Sequence, residues 1–303
     1  MMPPVMIVVL NWNGRADTLA CLGSLARLDY LAHGVVVVDN GSTDDSVAAV
    51  RASYPQVTLI ETGENLGYVG GNNVGLEHAR AMRADYALLL NNDTEVAPDF
   101  LRLLVEAAEA NPATGIVGPT IYYFDRPDVI WSAGGAIDWG RGRTSMIGLD
   151  EVDQGQFGHT VRPVDFVTGC ALLIKMSVVE QVGMLDPRFF AYYEEAEWCV
   201  RASQAGFKIL HVPQAKIWHK ISPDAREASP QVHYYMTRNR LLLLKLSKMG
   251  LGPWLSALLL DYGRTLVSWT LRPKWRSKSR QRRAMLQAIR DYGRRRFGKV
   301  EVV

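Results

Sequence analysis

Three clusters of amides and carboxylates each follow directly on an aliphatic run: Asn11-Trp12-Asn13 after Ile7 to Leu10, Asp39-Asn40-Gly41-Ser42-Thr43-Asp44 after Val35 to Val38, and Asn91-Asn92-Asp93 after Leu88 to Leu90. A fourth, Glu194-Glu195-Ala196-Glu197, follows the aromatic run Phe189-Phe190-Ala191-Tyr192-Tyr193. Such groups are costly to bury unpaired, so each cluster either turns the chain or meets a ligand. Carboxylates in these settings can accept hydrogen bonds from a base or ribose, hold a hard cation, or take a proton from a hydroxyl. His219, after the late apolar stretch that ends in Ile217-Trp218, adds an imidazole to the candidates.

Each cluster also has a plainer use. Asp39 and Ser42 can satisfy the backbone of a βα loop while Asp44 caps the helix that follows. Three carboxylates at 194, 195 and 197 suit the positive end of a helix dipole. The glycines of Glu64-Asn65-Leu66-Gly67-Tyr68-Val69-Gly70-Gly71-Asn72 serve a loop and helix entry as well as close approach to a ligand. The residues alone leave both readings open. No GxGxxG follows a strand, which argues against a dinucleotide phosphate loop.

The elements that must position these side chains are legible in the first third of the chain. Strands are predicted at Met6 to Leu10, Val35 to Val38, Val57 to Glu61 and Tyr86 to Leu90, with helices near Asp17 to Arg27, Asp44 to Tyr54 and Gly71 to Arg83. Alternation of this kind makes a parallel sheet covered by helices. Ligands of such sheets bind beyond the carboxyl ends of the strands, so Asn11, Asn13, Asp39, Asn91, Asn92 and Asp93 should share one rim. Pro98 to Asn111 reads as a helix between favourable boundary signals. Beyond it the pattern loosens: a long loop or irregular hairpin over 134–158, a strand over Val164 to Ile174, and helices at Ser177 to Val182 and Glu194 to Ala205. Short strands follow at Lys208 to Val212 and Ala215 to His219, and the chain reads as helical from Gln231.

With 303 residues, 48% of them apolar, the chain can build a large core. Its three cysteines are far apart with no CxxC pair, which argues against a disulfide framework or zinc cluster and favours a reducing, cytoplasmic setting. The N-terminal apolar run lacks a basic flank and reads as a first strand, not a signal peptide. Pro253 to Leu271 is interrupted by Asp261 and Arg264, so it suits the surface of a membrane better than its interior. After residue 271 there are 12 Lys and Arg against 2 Asp and Glu, a net +10 that leaves −7 on the rest of the chain. A basic tail with Trp254, Trp269, Trp275, Tyr292 and Phe297 fits the inner face of the cell membrane; nucleic acid is not the expected partner.

From about Val5 to Leu246 the chain resembles the family-2 glycosyltransferases, in particular the branch with rhamnosyltransferases of bacterial cell-surface polysaccharide assembly. The resemblance rests on separated motifs in a shared order: VVLNWNG, VVVVDNGSTDDS, ENLGYVGGNNVGL, LLLNNDTEV, FVTGCALLIK, FFAYYEEAEWCVRA, IWHKIS and YYMTRNR. It implies the GT-A fold, a Rossmann-like, mostly parallel α/β sheet flanked by helices, with a helical C-terminal appendage. The implied domains are a glycosyltransferase domain over 1–230 and a basic helical extension over 231–303. Within the first, the nucleotide-binding half covers about 1–115 and the acceptor-binding half about 116–230.

The implied activity is inverting transfer of a sugar, rhamnose among the candidates, from a nucleoside-diphosphate sugar to a hydroxyl of a saccharide or polyprenyl-linked acceptor. By the same resemblance Asp39 recognises the base, Asn91-Asn92-Asp93 replaces the DxD motif, and Asp93 with His219 holds Mg²⁺ or Mn²⁺. Asn91 stands where many members have aspartate. Glu195 is the implied base with Glu194 beside it, a Glu-Glu pair in place of Glu-Asp. Asn11, Asn13, Asn65, Gly67, Gly71, Asn72, Asn92, Gly169 and Arg238 are the implied donor-site residues. Two other classes fit parts of the pattern: a sugar nucleotidyltransferase, whose glycine-rich basic signature the N-terminus lacks, and a non-catalytic nucleotide-sugar-binding protein.

Overall fold

The computed structural model describes residues 2–221 and 229–302, so Ser222 of the IWHKIS motif lies outside the described residues. Its first part alternates strand and helix: β1 (Val5–Asn11), α1 (Arg15–Leu25), β2 (His33–Asp39), α2 (Ser46–Ser53), β3 (Thr58–Glu61), α3 (Gly67–Ala81) and β4 (Tyr86–Asn91). β1 pairs in parallel with both β2 and β4, and β2 with β3. The strand order therefore reverses direction at β1, the place where such sheets open a crevice. Register does the rest, because Asn11 lies beside Asp39 and Leu10 beside Asn91.

The middle of the chain extends the sheet with mixed pairing. It supplies β5 (Thr94–Val96), α4 (Phe100–Glu109), β6 (Thr114–Tyr123), β7 (Ile130–Ser132), the hairpin β8 (Gly135–Asp138) and β9 (Arg143–Met146), β10 (Arg162–Pro163), β11 (Ala171–Lys175), α5 (Met176–Val182), α6 (Glu194–Gln204) and β12 (Lys208–His219). β11 runs antiparallel between β4 and β6, and β12 is parallel to β6. The completed order is β10-β12-β6-β11-β4-β1-β2-β3. β5 returns to pair with the end of β12, setting His219 opposite Thr94.

Three expectations are corrected here. β6, a central strand with every residue buried, has no counterpart in the sequence reading, because its two glycines and Pro119 look like turn residues. The pairing register shifts between Val212 and Lys216 opposite Pro119 and Thr120, so a bulge absorbs a residue that cannot donate to the ladder. That bulge lies within one continuous strand, β12, where two short ones were expected. The strand expected from Val164 is confined to Ala171–Lys175.

β1 shows how the layers are built. Val5, Ile7 and Val9 enter one buried cluster with α1 and α4, and Met6 and Val8 enter another with α3, α5 and α6. This two-residue period fills both faces of the strand, so β1 is buried along its length. Cutting a fully buried side chain such as Leu88 to alanine would cost about 2–5 kcal/mol. The chain past residue 229 is helical: α7 (Pro230–Leu246), α8 (Leu251–Leu255), a π-helical stretch (Ser256–Gly263), α9 (Arg264–Leu271), a 3₁₀ stretch (Pro273–Lys278) and α10 (Ser279–Gly293). α7 starts with Ser229 Oγ accepting from Gln231 N and Pro230 in its first turn. Its Leu242 and Leu243 are members of the second buried cluster.

Candidate functional site

The rim formed by β1, β2 and β4 is held by a hydrogen-bond network. Asn11 Nδ2 donates to Asp39 Oδ1 at 2.8 Å and to Ser42 Oγ at 3.1 Å, and its Oδ1 accepts from Thr18 Oγ1 at 2.8 Å and Asn92 Nδ2 at 3.2 Å. Ser42 N donates to Asp39 Oδ2 at 3.0 Å, so both oxygens of this buried carboxylate are engaged. A carboxylate accepts more than two hydrogen bonds, which leaves Asp39 capacity for a ligand. Exposed Asn13 accepts from Thr43 N at 2.7 Å and ties the two strand-end loops together.

A cavity of about 990 Å³ opens at this rim. Of the residues singled out in the sequence, Asn65, Gly67, Asn91, Asn92 and Asp93 line it. Gly67 has φ +74, and a Cβ there would lie 2.5 Å from Phe190 Cδ2, so only glycine fits. Asn11 and Asp39 are buried within the rim network and line no part of the cavity.

Four expected donor-site residues act from further back. Gly71 is buried against Leu10 and Asn40, and Asn72 donates to Tyr68 O at 2.9 Å within α3. Gly169 supports Tyr68, accepting its hydroxyl at 2.6 Å, in a space where a Cβ would come 2.5 Å from that oxygen. Arg238 is a correction: it is fully buried, and its guanidinium donates to the carbonyls of Arg188, Phe189 and Gly298 at 2.8–3.0 Å. With its Nε donating to Asn239 Oδ1 at 3.0 Å, four of its five N–H groups are engaged, and it lines no part of the cavity. An Arg-Asn pair on a helix carried no sign of whether it faced outward, and burial decided the matter.

The sequence reading also missed several lining residues: Trp12, Asn40, Tyr68, and the run Lys299-Val300-Glu301-Val302. Asn40 follows Asp39 in the strand-end motif and could have been found there. It accepts from Leu66 N at 2.9 Å and donates to Gly67 O at 3.0 Å, joining β2 to the mouth of α3. The run at 299–302 had no local signal.

Asp93 lines the cavity and meets the buried His219, whose Nε2 lies 3.1 Å from the aspartate Oδ1. The contact is an ion pair whose geometry falls short of a well-aligned hydrogen bond at Asp93 Oδ1, and Cys170 lies on the other side of the imidazole. Burial pushes the His219 imidazole down, but Cys170 and Asp93 beside it more than offset this and hold it up at about 10. Burial pushes the Asp93 carboxyl up, and His219 and Lys220 reverse this, leaving it below its usual range. Among the described residues no three His, Cys, Asp or Glu side chains form a metal-holding group. Asp93 lines the cavity and fits a hard cation that draws other oxygens from a bound diphosphate, and His219 beside it would join as a ligand on giving up its proton.

Glu194 and Glu195 open α6 just behind the wall. Neither lines the cavity, but Tyr68 and Tyr192, which do, are the phenols whose ionisation both glutamates oppose after burial itself. The Oε2 atoms of both glutamates are buried without a hydrogen-bond partner. Burial and then the charge of Glu195 hold Glu194 well above the ordinary carboxylate range. Burial raises Glu195 as well, against backbone hydrogen bonds and Glu194. Both carboxyls are thus raised, and the pair holds a proton into a range where an ordinary carboxyl is ionised. Glu197 is a structural partner, accepting from Arg201 Nε at 3.0 Å and Nη2 at 2.9 Å.

The loop that delivers this pair is strained. Phe190, Tyr192 and Tyr193 have φ of 68°, 68° and 72°, a left-handed conformation that bulky residues rarely adopt. α7 holds it there. Asn239 Nδ2 lies 2.9, 2.7 and 2.8 Å from the carbonyls of Phe189, Ala191 and Tyr192, and Arg238 covers Arg188 and Phe189. Phe190 O in turn accepts from Val69 N at 3.1 Å, fastening the loop to α3.

A sheet that reverses at β1, a polar rim at that reversal and an acidic helix start facing it define a GT-A glycosyltransferase. The family model for glycosyl transferase family 2 matches residues 6–182, and the chain belongs to that family. An N-acetylglucosaminyl-diphospho-decaprenol L-rhamnosyltransferase of Mycobacterium tuberculosis is 29% identical, over 70% of this chain and 75% of its own. The low-salt glycan biosynthesis hexosyltransferase Agl10 of Haloferax volcanii is 30% identical, over 80% of this chain and 76% of its own. Among solved structures, GalNAc-T7 with UDP, GalNAc and Mn²⁺ superposes with a TM-score of 0.64 at 14% identity. That match covers 97% of this chain but only 56% of the other. Membership of the family sets aside the nucleotidyltransferase alternative.

Proposed function

We propose that the chain transfers a sugar, with rhamnose the leading candidate, from a nucleoside-diphosphate donor to a hydroxyl of a polyprenyl-diphosphate-linked saccharide, with inversion, in cell-surface polysaccharide synthesis. The observation that carries this reading is the single cavity lined by Asn65, Gly67, Asn91, Asn92 and Asp93, with His219 3.1 Å from Asp93. The name of the Mycobacterium relative supports the sugar and the lipid-linked acceptor, and that of the Haloferax relative supports hexosyl transfer in glycan synthesis.

In this reading Asp39, held by Asn11 and Ser42 just behind the cavity wall, receives a hydrogen bond from the base once the strand-end loops part to admit it. Asn91 and Asn92 contact ribose and phosphate as neutral groups, so Asp93 carries the negative charge of the motif alone. Asp93 and His219 hold Mg²⁺ or Mn²⁺, which when bound supplies positive charge against the leaving diphosphate. Glu195 takes the proton of the acceptor hydroxyl while Glu194 keeps the shared proton of the pair. Tyr68 and Tyr192 exclude water around that transfer. A base facing the anomeric carbon from the side opposite the leaving group gives one displacement and inversion.

The acceptor's lipid is met by the outer helices. Leu251, Leu255, Leu259, Leu260, Val267 and Leu271 are exposed along α8, the π-helical stretch and α9, and exposed Arg272, Lys274, Arg276 and Arg280 follow. No described helix is long and apolar enough to cross a membrane. An apolar face with a basic flank suits the surface of an anionic leaflet. The test is release of dTDP or UDP from matched sugar donors with Mn²⁺ or Mg²⁺, on acceptor carried by anionic vesicles and on a soluble acceptor. Metal-dependent release is expected, and salt should slow only the vesicle arm. No release across a broad donor and acceptor panel would overturn the transferase reading, and equal salt response in both arms would overturn the membrane contact.

A further inference from the structure

The segment that follows α10 returns across the mouth of the cavity, and its fastenings are lopsided. On the α7 side Gly298 N donates to Arg188 O at 2.8 Å, Arg238 Nη1 donates to Gly298 O at 2.8 Å, and Val300 N donates to Tyr235 Oη at 3.2 Å. Gln287 Nε2 adds a bond to Glu301 O at 2.8 Å, and Val300 and Val302 pack on the Tyr234, Tyr235, Ala284 and Ala288 cluster. On the α3 side one bond crosses the mouth, from Lys299 Nζ to the carbonyl of Asn65 at 2.9 Å. Asn65 is itself a wall residue, with its Oδ1 accepting from Gly67 N at 2.8 Å.

Charge makes this arrangement informative. Among the described lining residues Lys299 is the only lysine or arginine, while Asp93 and Glu301 bring negative charge. A nucleoside diphosphate adds more negative charge to the same space, and one divalent cation shared with Asp93 does not balance it. Arg238, the arginine expected there, is buried behind the wall, where it donates to backbone carbonyls, and does not line the cavity. We propose that Lys299 is the diphosphate-binding cation of this site: when the donor enters, its ammonium leaves the Asn65 carbonyl for the phosphate oxygens, and the 298–302 segment closes the cavity around the nucleotide. The donor reading above underlies this assignment. A flexible ammonium on an anchored segment suits the task, because it can exchange a neutral acceptor for a charged one without unfolding its support.

Lys299 is exposed, so its replacement leaves the core intact. The experiment measures binding of dTDP, UDP and the parent nucleosides, with Mn²⁺, to the full chain and to Lys299→Gln and Lys299→Arg, alongside donor KM and kcat. Lys299→Gln should weaken the diphosphates by about tenfold or more, leave nucleosides unchanged and raise donor KM more than it lowers kcat, with Lys299→Arg recovering much of the loss. Equal diphosphate affinity in wild type and Lys299→Gln would overturn the assignment. An equal loss for diphosphate and nucleoside would overturn it too, since that marks a structural role. A wild type that binds neither nucleotide would instead overturn the donor reading on which the assignment rests.

Discussion

Asp39 and the Glu194–Glu195 pair are buried acids treated in opposite ways. Asp39 receives Asn11 Nδ2 on one oxygen and Ser42 N on the other, from loops whose backbone needs no strain beyond Asn13 at φ 52°. The glutamates have unpartnered Oε2 atoms, are both raised by burial, and sit at the end of a loop with three aromatic residues in the left-handed region. A satisfied carboxylate is a fixed recognition element, whereas an unsatisfied one kept near neutrality is suited to exchanging a proton. The rim is thus satisfied where binding is proposed, and the acidic helix start is strained where chemistry is proposed.

The widest gap between the two should appear on replacement. Glu195→Gln should lower kcat by roughly 10²–10⁴-fold with little change in nucleotide affinity, while Asp39→Asn should act mainly through donor KM. Asp39→Asn sets an amide against one of two donors, so it should also cost about 1–3 kcal/mol in denaturant unfolding. Similar kcat losses in both variants would erase the distinction. Full turnover in Glu195→Gln would remove the base assignment, and Glu194→Gln should keep the larger share of activity.

A smaller effect separates support from chemistry. Asn239→Ala strips a buried donor from the carbonyls of Phe189, Ala191 and Tyr192, at a cost of about 1–3 kcal/mol in stability. Relaxation of the strained loop should lower kcat while nucleotide binding persists. Unchanged kcat at reduced stability would show that the strain has no part in turnover.

The mildest effect is in pH dependence, where activity and stability should move in opposite senses. Glu195 works deprotonated and its folded pKa is raised, so kcat should fall on an acid limb above the usual carboxylate range. For stability, a carboxyl raised on folding contributes most below its unfolded value and loses that contribution as pH rises through the folded one. The wild type should therefore lose stability as pH rises through the raised range, and Glu194→Gln should flatten that slope. A wild-type acid limb at ordinary carboxylate pH would contradict the burial of the pair.

The strand ends were legible in the sequence because they depend on local chemistry. Aliphatic runs of strand length stop at Asn11, Asp39 and Asn91, and in a parallel sheet such stops collect on one rim. The acidic start of α6 was visible for the same local reason, as carboxylates gathered at a helix dipole. β6 was hidden because glycine and proline are turn residues in isolation, and only the bulge in its partner β12 makes Pro119 acceptable inside a sheet.

Other matters were settled by contacts between residues distant in sequence. Whether Arg238 faces ligand or loop depends on the packing of α7 against residues about 50 positions earlier, and no periodicity records that. The approach of Lys299 to Asn65 spans 234 positions. Sequence alone therefore determined the first four strands and the chemical types on their rim, which follow from local periodicity and strand-end chemistry, while the family followed from the ordered motifs the chain shares with it. Tertiary structure decided which side chains keep free polar atoms beside the cavity, because burial and partnering are properties of the folded neighbourhood and not of the residue.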